Sequence, residues 1–272
     1  MTTTLLRHEF LRTKGMLGVI TGIVALLVVV GSLLALTPFG AAQALGMVIA
    51  VVSLGAYIPV LLIAMAVDYW RSAYGRTGYF VHSIPLTGGR IYAARLLYGA
   101  GVVVAGYVVA GLLALLPALV AASHQRPAGT EAFTYLATAV RDVLQTVTPM
   151  TWVALAVAVL LLTWSYLVQY YFAASIGSGP RWSSLGAFGP VVVWIALYLV
   201  MQAVMIASVF ALPLGISVDG GALHLVGVDY LAAAMSGAEP NALPGGMIVA
   251  VLLATVIFTV WTARSWNRVS LR

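Results

Sequence analysis

Long apolar runs separated by short polar intervals dominate the pattern of this chain. Six runs can be marked, at about 16–36, 44–67, 96–122, 150–172, 188–212 and 245–263. At about 1.5 Å per helical residue, each is long enough to cross a hydrocarbon core of roughly 30 Å. None carries an Arg, Lys, Asp or Glu away from its ends. Two weaker patterns accompany them. Leu5, Leu6 and Phe10 share one helical face, with Arg7, Glu9 and Lys14 mostly away from it, which fits equally an amphipathic interfacial helix before the first span and a basic topogenic flank with no further role. Phe133, Leu136, Ala137, Val140, Leu144 and Val147 recur at helical spacing opposite Glu131, Thr138, Arg141, Asp142 and Gln145, which predicts a second amphipathic helix. The 213–244 interval mixes Gly, Pro, Asp and His with Tyr230–Met235 and suits a folded cap or a short re-entrant piece. The fold expected is an all-α integral membrane protein, a single transmembrane domain over 1–272.

Composition supports this. Charged residues make up 7% and hydrophobic ones 62%, whereas a soluble domain uses about 25% charged residues to cover its surface. The net charge of +6 would suggest nucleic acid in a soluble protein, but the placement of the charges excludes that reading. With six spans, one side receives Arg7, Arg12, Lys14, Arg71, Arg76, Arg90, Arg95, Arg181, Arg264, Arg268 and Arg272, and the other only Arg126 and Arg141. Acidic residues divide the opposite way, with Glu9 and Asp68 against Glu131, Asp142, Asp219, Asp229 and Glu239. The positive-inside bias therefore predicts that both termini are cytoplasmic, in a multi-pass protein of the cell membrane. Ala42-Gln43-Ala44 has the form of a signal-peptidase site, but the preceding apolar run of about 21 residues exceeds a signal core of 7–15, so a retained first helix is expected.

Catalytic chemistry is sparse. Lys14, the only lysine, lies between Thr13 and Gly15, which is no phosphate-binding loop, and the chain has no cysteine. His8, His82, His124 and His224 are scattered over separate connections, so neither a metal site nor an enzyme is expected. Ion-coupled secondary transport usually places an ionisable group near the midplane, and these spans have none. Gln43, Ser53, Gln202 and Ser208 are the polar groups associated with the spans. Hydrogen bonding between helices is their ordinary role, and lining a substrate path is the sharper one. Gly18–Gly22 and the pair Gly101/Ala105 have small-xxx-small spacing, and Pro59 and Pro117 are candidate kinks. The run Trp164–Phe172, including Tyr166 and Gln169, reads first as an interfacial aromatic belt and second as a substrate vestibule.

The interval Asp68–Arg95 is the richest. Trp70, Arg71, Tyr74, Arg76, Tyr79, Phe80 and His82 alternate with small residues, a composition favoured at protein interfaces. Ile84-Pro85-Leu86 breaks the helix, and Thr87 or Gly88 opens the next one. The run from Tyr79 through Ile84-Pro85-Leu86-Thr87 to Arg95-Leu96-Leu97, together with the six-span layout, resembles permease subunits of type-2 ABC exporters. In that family a Lys often stands at the position of Arg95. The resemblance implies a coupling helix around Trp70–Ser83 that enters a groove on a separate cytosolic ATPase, present in two copies, with ATP and magnesium bound there and no cofactor in this chain. It also implies a connecting helix at 5–14 and a second permease chain, making a homodimer or heterodimer, among membrane lipids. Trp70, Arg71, Tyr74, Arg76, Tyr79, Phe80 and His82 would be the coupling contacts, and Gln43, Gln202, Tyr166 and Gln169 would face the translocation path. The uncharged spans argue for a hydrophobic or amphipathic cargo such as a peptide, antibiotic or lipid. A membrane anchor or sensor that recruits a cytosolic partner through the same surface is the alternative, with a secondary transporter behind it.

Overall fold

The computed structural model describes residues 2–75, 78, 86–125 and 129–266. Among these, six helices are long and apolar enough to cross a membrane. In chain order the helices are α1 (Thr2–Ala35), α2 (Gly40–Tyr74), α3 (Gly88–Gln125), α4 (Gly129–Gln145), α5 (Pro149–Gly177), α6 (Phe188–Ala211), α7 (Tyr230–Ser236) and α8 (Gly245–Trp266). A 3-10 turn at Pro180–Leu185 joins α5 to α6. Three short strands, β1 (Leu214–Asp219), β2 (Ala222–Gly227) and β3 (Leu243–Pro244), lie between α6 and α8.

The outward faces of the long helices are apolar. Leu26, Leu33, Val52, Leu112, Leu199, Ile206 and Leu253 are all exposed. At most 28% of the most apolar window of any of these helices is buried. In water so much exposed hydrocarbon would drive association; lipid removes that penalty, while each helix satisfies its own backbone hydrogen bonds.

The chain forms two compact units, residues 1–65 with 94–145 and residues 66–93 with 146–272. In the first, Val24 and Val28 of α1 pack with Tyr57 and Leu61 of α2, and with Val109 and Leu113 of α3 beside them. Thr21 and Tyr57 share a hydroxyl–hydroxyl hydrogen bond of 2.8 Å. Near the α1–α2 turn the two backbones approach closely. A Cβ on Gly31 would lie 2.6 Å from the Gly46 carbonyl oxygen, and one on Gly46 would lie 2.5 Å from the Ala35 nitrogen. Ala35 and Ala50, one helical turn on from these glycines, are fully buried. The small-xxx-small packing thus falls at Gly31/Ala35 and Gly46/Ala50, whereas a Cβ on Gly18, Gly22 or Gly101 would meet nothing within 4 Å. Gly46→Val should therefore force the helices apart and cost about 1–3 kcal/mol or more. Gly22→Ala should leave the purified chain as stable or slightly more so. Thermal unfolding of the two variants in detergent separates these outcomes.

In the second unit, Phe172 of α5, Leu197 and Met201 of α6 and Val251 of α8 form the core. The 213–244 connection is folded, and its hairpin is the departure from an all-α fold. β1 pairs antiparallel with β2 and β3. The two-residue turn uses Gly220 and Gly221, with φ of 54° and 79°, the positive values a tight hairpin turn requires. That turn is clipped to α5: the Gly221 carbonyl accepts from the Thr148 N–H at 2.8 Å and from the Thr151 hydroxyl at 2.9 Å. Asp229 caps α7 by accepting from the N–H groups of Leu231 and Ala232.

Several boundaries differ from those read in the apolar pattern. The 5–14 segment is the first part of α1 rather than a separate interfacial helix, because no proline interrupts it and Gly15 alone does not stop a helix. Along it Arg7, Phe10 and Lys14 are exposed and Leu5 and Leu6 half-buried, while Glu9, expected on the polar face, is buried together with Thr13. Trp70, Arg71 and Tyr74 form the last turns of α2 rather than a new helix, which ends where Gly75 follows. Pro59 and Pro117 lie inside continuous helices. The amphipathic helix is present as α4 at 129–145, and its apolar residues Phe133, Val140 and Leu144 are exposed.

Candidate functional site

The end of α2 is held by an aromatic cluster within the second unit. Tyr69 projects from the end of α2 and is 1% exposed. Its ring stacks on Tyr171 of α5, with centroids 4.1 Å apart and planes 8° from parallel. Tyr74 meets Tyr69 edge-on at 6.1 Å, and Trp266 of α8 lies 6.0 Å away. The Trp266 Nε1–H donates to the Tyr69 hydroxyl at 2.6 Å, and that hydroxyl exchanges a further hydrogen bond of 2.7 Å with Ser175 Oγ. One residue on, the Trp70 Nε1–H donates to Ser178 Oγ at 3.1 Å. An aromatic side chain here contributes both buried area and a polar handle, and the handles of Tyr69, Trp70 and Trp266 are matched.

The start of α3 is fastened to the same place. The Thr87 carbonyl accepts from the N–H groups of Arg90 and Ile91 and opens the helix. Gly88 lies so close to the end of α8 that a Cβ there would sit 2.6 Å from the Trp266 carbonyl oxygen. Both ends of the interval are thus tied to α5 and α8, while the bodies of α2 and α3 belong to the first unit.

Beside the cluster is a cavity of about 1220 Å³. It is lined by Tyr74, by Ser175, Ile176 and Ser178 to Trp182 around the end of α5 and the 3-10 turn, and by Val256, Ile257, Val260, Trp261, Arg264 and Ser265 of α8. Arg181 and Arg264 are both exposed, and no carboxylate lines the cavity.

The residues expected to couple to an ATPase are distributed as follows. Trp70 and Tyr74 are partly buried in or beside the cluster, and Arg71 is exposed on the same turn. Arg76, Tyr79, Phe80 and His82 lie outside the described residues. Of the four residues expected on a path, Gln43 belongs to the first unit, and Tyr166, Gln169 and Gln202 to the second. Tyr166 is 53% exposed, Gln169 is buried and Gln202 is half-buried. None of the four lines the cavity.

Tyr69, Tyr171, Ser175 and Trp266 carry the cluster and were not singled out from the sequence. Tyr69 had a signal: it is four residues from both Met65 and Ala73, and all three are buried on one face of α2. A second polar cluster lies in the first unit. Glu9 of α1 accepts from Arg95 Nε of α3 at 3.2 Å and pairs with Arg12. The Thr13 hydroxyl donates to the Glu9 carbonyl at 2.9 Å and also contacts the Tyr98 hydroxyl. Arg95 is 3% exposed, so its guanidinium is buried beside Glu9 rather than presented at the surface.

Comparison with protein-family models, curated proteins and solved structures gives no match.

Proposed function

We propose that this chain is the membrane-spanning permease subunit of an ATP-driven exporter of the type-2 ABC class. Both termini and the α2–α3 interval are on the cytoplasmic side, where the basic residues concentrate. A separate cytosolic ATPase, two copies per complex, binds ATP and magnesium and docks on that interval. A second permease chain completes the path for a hydrophobic or amphipathic cargo.

The observation that carries this reading is the fastening of the interval by Tyr69, Trp70 and Gly88 to the ends of α5 and α8. A docking surface that only recruits a partner needs exposed contacts. One that transmits work also needs rigid attachment to the spans, since a ligand shifts an equilibrium only through elements that differ between the two states. Here a push on the interval is delivered to α5 and α8 through packed rings and matched hydrogen bonds.

Arg71 provides the test. It is exposed, with no ion pair among the described residues, so reversing its charge leaves the fold intact. Tagged protein purified from its native membrane should bring down a stoichiometric ATPase, identified by mass spectrometry and nucleotide turnover. Arg71→Glu should reduce the recovered ATPase about tenfold, the loss expected when a rim cation becomes a like-charge clash. A clean preparation with no ATPase removes the exporter reading and leaves the anchor or sensor in its place.

A further inference from the structure

We infer that the cavity beside the aromatic cluster is a binding site for an acidic phospholipid of the surrounding bilayer, with its headgroup between Arg181 and Arg264 and an acyl chain along α8. The walls divide by chemistry. Val256, Ile257 and Trp261 are 61%, 57% and 55% exposed, so this wall is continuous with the outward apolar face of α8, the face a bilayer covers. Arg181 and Arg264 bring two guanidinium groups to the lining, with no carboxylate among the lining residues and none paired with either arginine among the described residues.

Arginine suits this position because its planar fork binds phosphate oxygens in pairs and is less strongly hydrated than an ammonium. Ser178 adds to the polar end. Its oxygen accepts from Trp70, which leaves the hydroxyl proton to donate toward a phosphate. The occupant must therefore be anionic at one end and apolar along its length. A soluble anion would leave the α8 wall uncovered, and a zwitterionic lipid would bring a choline or ethanolamine cation to two arginines. A basic pocket beside a transmembrane helix is a recurring setting for acidic headgroups. The seat adjoins the cluster that fastens the α2–α3 interval, since Tyr74, Ser175 and Ser178 belong to both.

The experiment is native mass spectrometry of the delipidated full chain, titrated with phosphatidylglycerol or with phosphatidylcholine of the same acyl chains. Phosphatidylglycerol should be retained at the lower concentration. Arg181→Gln and Arg264→Gln should each weaken it about fivefold, and the double variant about 25-fold. The double lysine variant should keep most of the preference, because the charge remains. Equal retention of the two lipids overturns the proposal, as does full retention by the double glutamine variant. Loss in the lysine variant as complete as in the glutamine variant does the same. Displacement by millimolar inorganic phosphate would make the site one for free anions and would also overturn it. The measurement uses the chain without any ATPase, so its outcome is independent of the exporter reading.

Discussion

Tyr69→Ala lowers the stability of the purified protein by about 3–5 kcal/mol, the cost of removing a fully buried aromatic ring whose neighbours cannot collapse into the space. For a chain of this size the melting temperature in detergent should fall by on the order of 10 °C. The neighbours are themselves large and fixed. Tyr171 loses its stacking partner, and Trp266 Nε1 and Ser175 Oγ lose the hydroxyl they share. Tyr69→Phe separates these contributions. It keeps the ring and strands one buried donor, at about 1–3 kcal/mol. If phenylalanine costs as much as alanine, hydrogen bonding holds the cluster; if neither variant moves the transition, the cluster does not fasten the interval. The exporter reading adds a second expectation. Because Arg71 remains exposed on its turn, Tyr69→Phe should still recover the ATPase, while transport per ATP hydrolysed falls.

The spans were legible because a bilayer imposes a length and an apolar composition on anything that crosses it. All six runs lie within or nearly within long helices. The helix ends were less legible, since hydropathy reports where lipid contact stops rather than where backbone hydrogen bonding stops. α2 therefore continues seven residues past its apolar run, from 67 to Tyr74, and α3 begins eight before its own, at Gly88 rather than 96. The β1–β2 hairpin carried a readable mark, Gly220-Gly221 between two alternating stretches, but in so apolar a chain short alternation is easily overlooked.

The candidate site was legible only at its exposed edge. Trp70, Arg71 and Tyr74 stand out by residue type, as interface residues do. Tyr69, Tyr171 and Trp266 are of the same types and lie at helix ends, where an aromatic belt facing the headgroups also belongs. Which rings turn inward depends on partners remote in the chain, with 197 residues separating Tyr69 from Trp266. Glycines misled for the same reason: Gly18 and Gly22 have the packing spacing and no neighbour, while Gly31 and Gly46 pack across the turn.

Glu9 is the clearest case of a residue whose role reversed, and it carries the second large effect. Placed on the polar face of an interfacial helix, it would be a surface charge worth little. In the structure it is buried against Arg95, itself 3% exposed. Glu9→Ala leaves the Arg95 guanidinium buried without its carboxylate and should destabilise the chain by about 3–5 kcal/mol. Arg95→Met strands the carboxylate less severely, because Arg12 still pairs with it and is partly open to solvent. Replacing both charges at once, Glu9→Leu with Arg95→Met, removes the desolvation cost together with the attraction and should restore stability to within about 1 kcal/mol of the starting protein. Thermal unfolding in one detergent of the starting protein, Glu9→Leu (which strands Arg95 as Glu9→Ala does), Arg95→Met and the double variant closes the cycle. A double variant that is as unstable as Glu9→Ala would mean that the carboxylate matters through Arg12 and the local helix rather than through its tie to α3. Recovery in the double variant would establish that the first turns of α1 are held to α3 by a charge pair that apolar packing can replace.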